Sequence, residues 1–144
     1  MTTLAGRRTT FDFEPLHSTD GVNDVLIQGG DYAAQRFGFI SATGSEPVTN
    51  ITLRDVLFTS GWIGVTTGPR SAGWDLENVV SRNGYGSGSG AAWPFHRVDG
   101  VRVVGCTQRL QPGRDMAMVV TKDCTDVEVH GNTAVGGIEY RDLG

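Results

Sequence analysis

The fold is decided by the stretch VDGVRV at residues 98–103, in which an apolar residue, two turn-forming residues and an apolar-x-apolar triplet follow one another. Comparable triplets begin at residues 25, 51, 74, 101 and 127, so successive starts are 26, 23, 27 and 26 residues apart. The triplets are Val25-Leu26-Ile27, Ile51-Thr52-Leu53, Trp74-Asp75-Leu76, Val101-Arg102-Val103 and Val127-Glu128-Val129. A repeat of this period is typical of proteins that are built from stacked coils.

A second set of apolar pairs follows the triplets, one pair in each period. The pairs are Phe11/Phe13, Phe37/Phe39, Ile63/Val65, Trp93/Phe95, Met116/Met118 and Ile138/Tyr140. Because side chains alternate between the two faces of a strand, the paired residues should face a core and the small or polar residue between them should face solvent. The pattern predicts an inward ladder of Phe13, Phe39, Val65, Phe95, Met118 and Tyr140. A further inward ladder is predicted for Gly30, Val56, Val79, Cys106 and Asn132, the last with a structural hydrogen-bonding role.

One such coil cannot bury its own apolar face, whereas stacking on neighbouring coils can. We therefore predict an all-β protein, a parallel β-helix of about five to six coils of roughly 26 residues over residues 9–144, preceded by an N-terminal arm at residues 1–8. The 21 glycines among 144 residues suit many tight turns between short strands. A β-sandwich would instead show turn signals every 8–12 residues or so, and no helical period is present.

Composition limits the partners. The chain has 12 Lys and Arg against 16 Asp and Glu, a net charge of -4, which disfavours binding to nucleic acid or to an anionic membrane surface. We therefore expect neither nucleic acid nor a membrane as a partner. There is also no apolar run of the roughly 18–20 residues that a membrane span needs, and no signal peptide is recognised.

The three histidines, His17, His96 and His130, lie at different positions in different coils, so we expect no metal site and no cofactor. Cys106 and Cys124 also differ in position around the coil, which favours free thiols over a disulfide.

The run TTFDFEP at residues 9–15, together with the triplet at 25–27 and the later coils, resembles the right-handed parallel β-helix proteins of the pectin-lyase-like superfamily. The resemblance covers the chain from Thr9 to Val129. It implies a right-handed helix and a location in a virion or outside the cell. It also implies one of two settings, a phage virion component or a carbohydrate-active protein.

Two groups of residues are candidate sites. Asp12 and Glu14 should project from one face about 7 Å apart, which is compatible with general acid and base catalysis on a glycosidic bond. The alternative is an ordinary polar face, since the expected neighbours Gly38 and Gly64 offer no cation. The loops at residues 81–90 and 109–115 fall in the same part of adjacent coils and should be neighbours. They are predicted to form either a flexible bulge or a shallow sugar- or protein-binding contact made by Arg82, Tyr85, Arg109 and Arg114.

Two functions follow as hypotheses. The first is a structural and interaction protein of a phage virion, such as a tail spike, minor tail or capsid decoration protein. It would assemble as a homo-oligomer, with a trimer favoured, through a flat small-residue face around Gly38 and Gly64. Its partners would be further copies, other virion proteins or a surface polysaccharide. The second is a carbohydrate-active enzyme, a polysaccharide lyase or glycoside hydrolase, or a fragment of one.

Overall fold

A computed structural model describes residues 9–13, 15, 17, 21–32, 38–42, 44–60, 62–65, 68–83, 93–110 and 117–144. The described residues form short β-strands and contain no helix. The strands are β1 Thr9–Phe13, β2 Val22–Gln28, β3 Asp31–Tyr32, β4 Gly38–Ala42, β5 Val48–Arg54, β6 Leu57–Ser60, β7 Trp62–Val65, β8 Ser71–Glu77, β9 Val80–Asn83, β10 Trp93–His96, β11 Val98–Val104, β12 Thr107–Arg109, β13 Ala117–Lys122, β14 Thr125–His130, β15 Thr133–Val135 and β16 Ile138–Asp142. The proposed arm at residues 1–8 lies outside the described residues.

The strands form three parallel sheets, each of which takes every third strand of the chain. Sheet A has the order β1-β4-β7-β10-β13-β16, sheet B the order β2-β5-β8-β11-β14 and sheet C the order β3-β6-β9-β12-β15. In sheet B, Val25 pairs with Ile51 and Ile51 with Trp74, so each strand contacts the strand one period away. The protein is therefore a parallel β-solenoid with about 26 residues per turn, which confirms the prediction of an all-β protein with parallel strands and this period.

The number of closed turns is smaller than the five to six coils that the sequence predicts. Side chains with almost no exposure form a core through about three turns, those that carry Ile51, Trp74 and Val101. The equivalent Val25 and Val127, in the outermost strands of sheet B, are only half-buried. The prediction failed because a repeated strand signal was counted as a coil, whereas a closed coil needs a neighbour above and below it.

Two columns of left-handed residues bend the chain at the same places in successive turns. The column within the strands of sheet B consists of Asp24, Asn50, Gly73, Gly100 and Asp126, and the column between sheets B and C consists of Gly29, Asp55, Asn78, Gly105 and Gly131. All ten have φ between 49° and 69° except Gly100, at 81°. Glycine, asparagine and aspartate tolerate this region best, which explains why the sequence repeats these residue types at the bends.

The inward ladder of sheet B agrees with the sequence. The second predicted ladder lies at the bend before sheet C, where Val56, Val79 and Cys106 are buried as predicted. Gly30, at the start of that ladder, is exposed and does not follow the prediction.

Asn132 ends the second predicted ladder and has the predicted structural role. Its Oδ1 accepts from the backbone N of Cys106 at 2.8 Å, and its Nδ2 donates to the carbonyl of Val103 at 2.9 Å. The same Nδ2 donates to Glu139 Oε1 at 2.9 Å. The amide therefore ties the last turn to the turn before it.

The ladder predicted for sheet A is wrong in part. The observed pairs are Phe13 with Ala42, Val65 with Phe95, Phe95 with Thr121, and Val119 with Tyr140. Only the pairing of Val65 with Phe95 agrees with the predicted ladder. The segments that join sheet C to sheet A differ in length, so a constant spacing cannot give the register there.

Gly64 lies buried against Pro94 in the middle of sheet A. The flat small-residue face predicted around Gly38 and Gly64 is therefore wrong for Gly64, while the exposure of Gly38 is not among the described features. A Cβ atom placed on Gly64 would overlap the carbonyl oxygen of Pro94. Close approach of two backbones, not exposure, explains this glycine.

We expect Gly64→Ala to lower the free energy of unfolding by about 1–3 kcal/mol, because the added methyl group must displace backbone. Urea unfolding followed by circular dichroism measures the change. Gly21→Ala is the matched control, since Gly21 is exposed and a Cβ there meets no atom within 4 Å. Equal stabilities for the two variants would contradict the proposed close contact.

Candidate functional site

The outer face of sheet C carries two neighbouring arginines. Phe58, Ser81 and Gln108 point inward and are buried, so the residues on either side of them point outward. Gln108 pairs with Ser81, which places Arg109 next to Arg82 in one outward row. This row and the outward row beside it, with the half-buried Leu57, Val80 and Thr107, are called the sheet C face from here on.

The two arginines differ in how their charge is balanced. Arg82 Nη2 lies 3.8 Å from Asp31 Oδ2, and both side chains are exposed, so this ion pair is weak. Arg109 is exposed and forms no ion pair within the described part of the chain. The sequence predicted Arg82, Tyr85, Arg109 and Arg114 as one contact; the structure brings Arg82 and Arg109 together, while Tyr85 and Arg114 lie outside the described residues.

Two guanidinium groups on strands about 4.8 Å apart repel each other and attract a carboxylate or another oxyanion. The adjoining row adds apolar contact area, and Val135, which pairs with Arg109, is 43% exposed. Apolar side chains with arginine are the composition found at the centre of protein interfaces. The sheet C face therefore has the chemistry of a contact surface.

A second surface lies on the outside of sheet B. It contains a shallow open groove of about 340 Å³ whose lining includes Gly73, Gly100, Asp75, Arg102 and Glu128. The two glycines belong to the left-handed column and add no side chains to the lining of the groove.

Arg102 is the centre of the charged network beside this groove. Its Nη1 lies 2.8 Å from Asp75 and 3.1 Å from Glu77, and its Nε lies 3.6 Å from Glu128. The hydrogen bond to Asp75, followed by the one to Glu77, raises the pKa of Arg102 above its ordinary value. One guanidinium group thus balances three carboxylates from the turns on both sides of it.

A similar network fastens the corner between sheets A and B. Arg70 Nη1 lies 2.7 Å from Asp99, and its Nη2 lies 2.8 Å from Asp123. The hydroxyl of Thr125 donates to Asp99 at 2.7 Å and, ahead of Arg70, lowers the pKa of that carboxyl. Like Arg102, Arg70 connects carboxylates of different turns.

Asp12, the first of the two predicted catalytic carboxylates, has its backbone in β1. It pairs with Ser41 and not with Gly38, the neighbour that the sequence predicted. The carboxylate of Asp12 and all of Glu14 lie outside the described residues.

His130 Nε2 lies 2.7 Å from Glu128, and the described residues contain no group of three or more His, Cys, Asp or Glu side chains that could hold a metal ion.

Both cysteines are free thiols. Cys106 is buried, and burial raises the pKa of its thiol to about 11, so it stays protonated and unreactive near neutral pH. Cys124 is half-buried and donates to the carbonyl of Phe95 at 3.2 Å.

Neither Arg102 nor Arg70 was predicted from the sequence to be the centre of an ion-pair network. The sequence does contain a signal for Arg102, because the central residues of the five triplets form one outward row. Within that row Asp75, Arg102 and Glu128 alternate in sign on successive strands. Arg70 precedes its strand at a corner, and no periodic position marked it.

Comparison with protein-family models, with curated proteins and with solved structures finds no match to this chain. The described part of the chain has no helix of the length and apolarity needed to traverse a membrane.

We expect Arg102→Gln to destabilise the protein by up to about 1 kcal/mol at low ionic strength, because three carboxylates lose their shared cation. The loss should shrink in 1 M NaCl, where screening extends over only about 3 Å. Thermal unfolding at both salt concentrations measures it. Lys122→Gln, a loss of one positive charge at an exposed position of sheet A, is the control and should leave stability unchanged. A loss in Arg102→Gln that does not depend on salt would contradict the electrostatic explanation.

Proposed function

We propose that this chain is a structural and interaction protein that assembles as a homo-oligomer, with a trimer favoured. The resemblance to right-handed β-helix proteins of the pectin-lyase-like superfamily supports a more specific proposal. We propose that the chain serves in a phage virion as a tail spike, minor tail or capsid decoration protein.

The observation that carries this proposal is how the charged side chains are used. Arg70 and Arg102 each bind carboxylates from different turns and so fasten the stack along its axis. Such cross-strand pairs stabilise a scaffold. A catalytic site would instead need charged groups aimed at a bound substrate.

The sheet C face is the proposed contact between copies. In a symmetric assembly the same patch recurs on every copy, so a residue and its partner can both come from this face. Arg109 supplies a cation without an ion pair among the described residues, and Asp31 on the same face supplies a weakly paired carboxylate. We propose that Arg109 of one copy pairs with Asp31 of the next, while Leu57 and Val80 supply apolar area.

Light scattering after size-exclusion chromatography tests the assembly. The expected mass is three times the chain mass of 15.4 kDa, and Arg109→Asp should weaken association about tenfold or more because it places two carboxylates in contact. Adding Asp31→Arg to that variant should restore association.

Lys122→Asp, an equal change of charge at an exposed position of sheet A, is the control and should leave the mass unchanged. A monomeric wild-type protein at high concentration would refute the homo-oligomer. A trimer that tolerates Arg109→Asp would refute only the proposed contact.

A carbohydrate-active enzyme is the second candidate function. For that function, the groove on sheet B is a better candidate site than Asp12 and Glu14, the site that the sequence predicted. Carboxylates on both sides of Arg102 are of the type that general acid and base catalysis on a glycosidic bond requires. If the groove is catalytic, Glu128→Gln should lower the release of reducing ends from acidic polysaccharides by about 100-fold or more, and Asp12→Asn should have no effect. The reverse result would favour the predicted site, and no product from the wild-type protein would end both versions.

A further inference from the structure

The interior of sheet C contains polar side chains where the other turns have apolar ones. The inward ladder of this sheet consists of Tyr32, Phe58, Ser81, Gln108 and Ala134. Ser81 is 2% exposed and Gln108 is not exposed at all. Both lie in the closed part of the core, next to each other on paired strands.

Within the described part of the chain, neither side chain has a hydrogen-bond partner: the hydroxyl of Ser81 and both polar atoms of the Gln108 amide are buried and unpaired. Unpaired polar groups in a protein interior cost free energy, and native proteins satisfy nearly all of them with protein groups or ordered water. Trp93 Nε1 is a further buried donor with no partner among the described residues. Its indole packs on Phe58, with ring centroids 6.4 Å apart, so it lies in the same region.

Ser81 has the shortest side chain among its neighbours in the closed part of this ladder. Its neighbours in the ladder are the larger Phe58 and Gln108, so the short serine side chain lies between two long ones. Paired residues of adjacent strands are about 4.8 Å apart, which is within the reach of one molecule that bonds to both side chains. A water molecule can donate two hydrogen bonds and accept two, and a buried water typically makes about three.

We propose that Ser81 and Gln108 bind an internal water molecule between β9 and β12. The water donates to Gln108 Oε1 and to Ser81 Oγ and accepts from Gln108 Nε2 or Trp93 Nε1. It thereby joins the two strands that carry Arg82 and Arg109 on their outer side. This inference is independent of the proposed function, because it concerns the interior of the sheet.

The test counts long-lived internal waters by ¹⁷O magnetic relaxation dispersion of the folded protein. Gln108→Met, which keeps the length of the side chain but removes its polar atoms, should lower the count by one. Ser81→Ala should leave the water held by fewer bonds and shorten its residence time, which moves the dispersion to higher frequency. The double variant should match Gln108→Met, because both changes act on one water.

Thr121→Val is the control. Thr121 is also fully buried, but its hydroxyl is paired with Tyr140 and Asp142, so its loss should not change the count. An unchanged count in Gln108→Met, or independent losses from the two single variants, would overturn the proposal. If Gln108→Met fails to fold, an unchanged dispersion in Ser81→Ala overturns it alone.

Discussion

The structure depends on the parallel pairing of each strand with the strand one turn away. A single turn buries nothing by itself, because its apolar side chains are shielded only by equivalent side chains above and below. The consequence is visible along one ladder of sheet B, where Ile51, Trp74 and Val101 are fully buried and Val25 and Val127 are not. Stability is therefore concentrated in about three central turns.

The same pairing that stacks the core also stacks the surface charges. Equivalent outward residues lie about 4.8 Å apart, so a row of like charges would repel along the whole stack. The row Asp75, Arg102, Glu128 avoids this by alternation of sign, and Arg70 does so at the corner by reaching both Asp99 and Asp123. The charges on these surfaces thus follow from the geometry of the fold.

The sequence was sufficient for sheet B and insufficient for sheet A, for a physical reason. In sheet B every turn has its left-handed bend and its triplet at a fixed separation, so the ladder through Trp74 could be read from spacing alone. The strands of sheet A follow segments of unequal length, and the partners of Phe13 and Phe95 could not be counted. The sequence placed Arg82 beside Arg109 because the strands that carry them follow the regular part of the turn.

The two strands β9 and β12 depart from the repeat on both of their faces. On the inside, Ser81 and Gln108 stand where a stack needs only apolar side chains, as sheet B provides throughout its central ladder. On the outside, Arg82 and Arg109 are adjacent like charges, the arrangement that the row through Arg102 avoids. Departures from local rules are expected where a protein is specialised and the fold alone does not explain the residues. The fold itself requires neither departure: the proposed water would join the two strands from within, and the proposed contact between copies would balance the two arginines from outside.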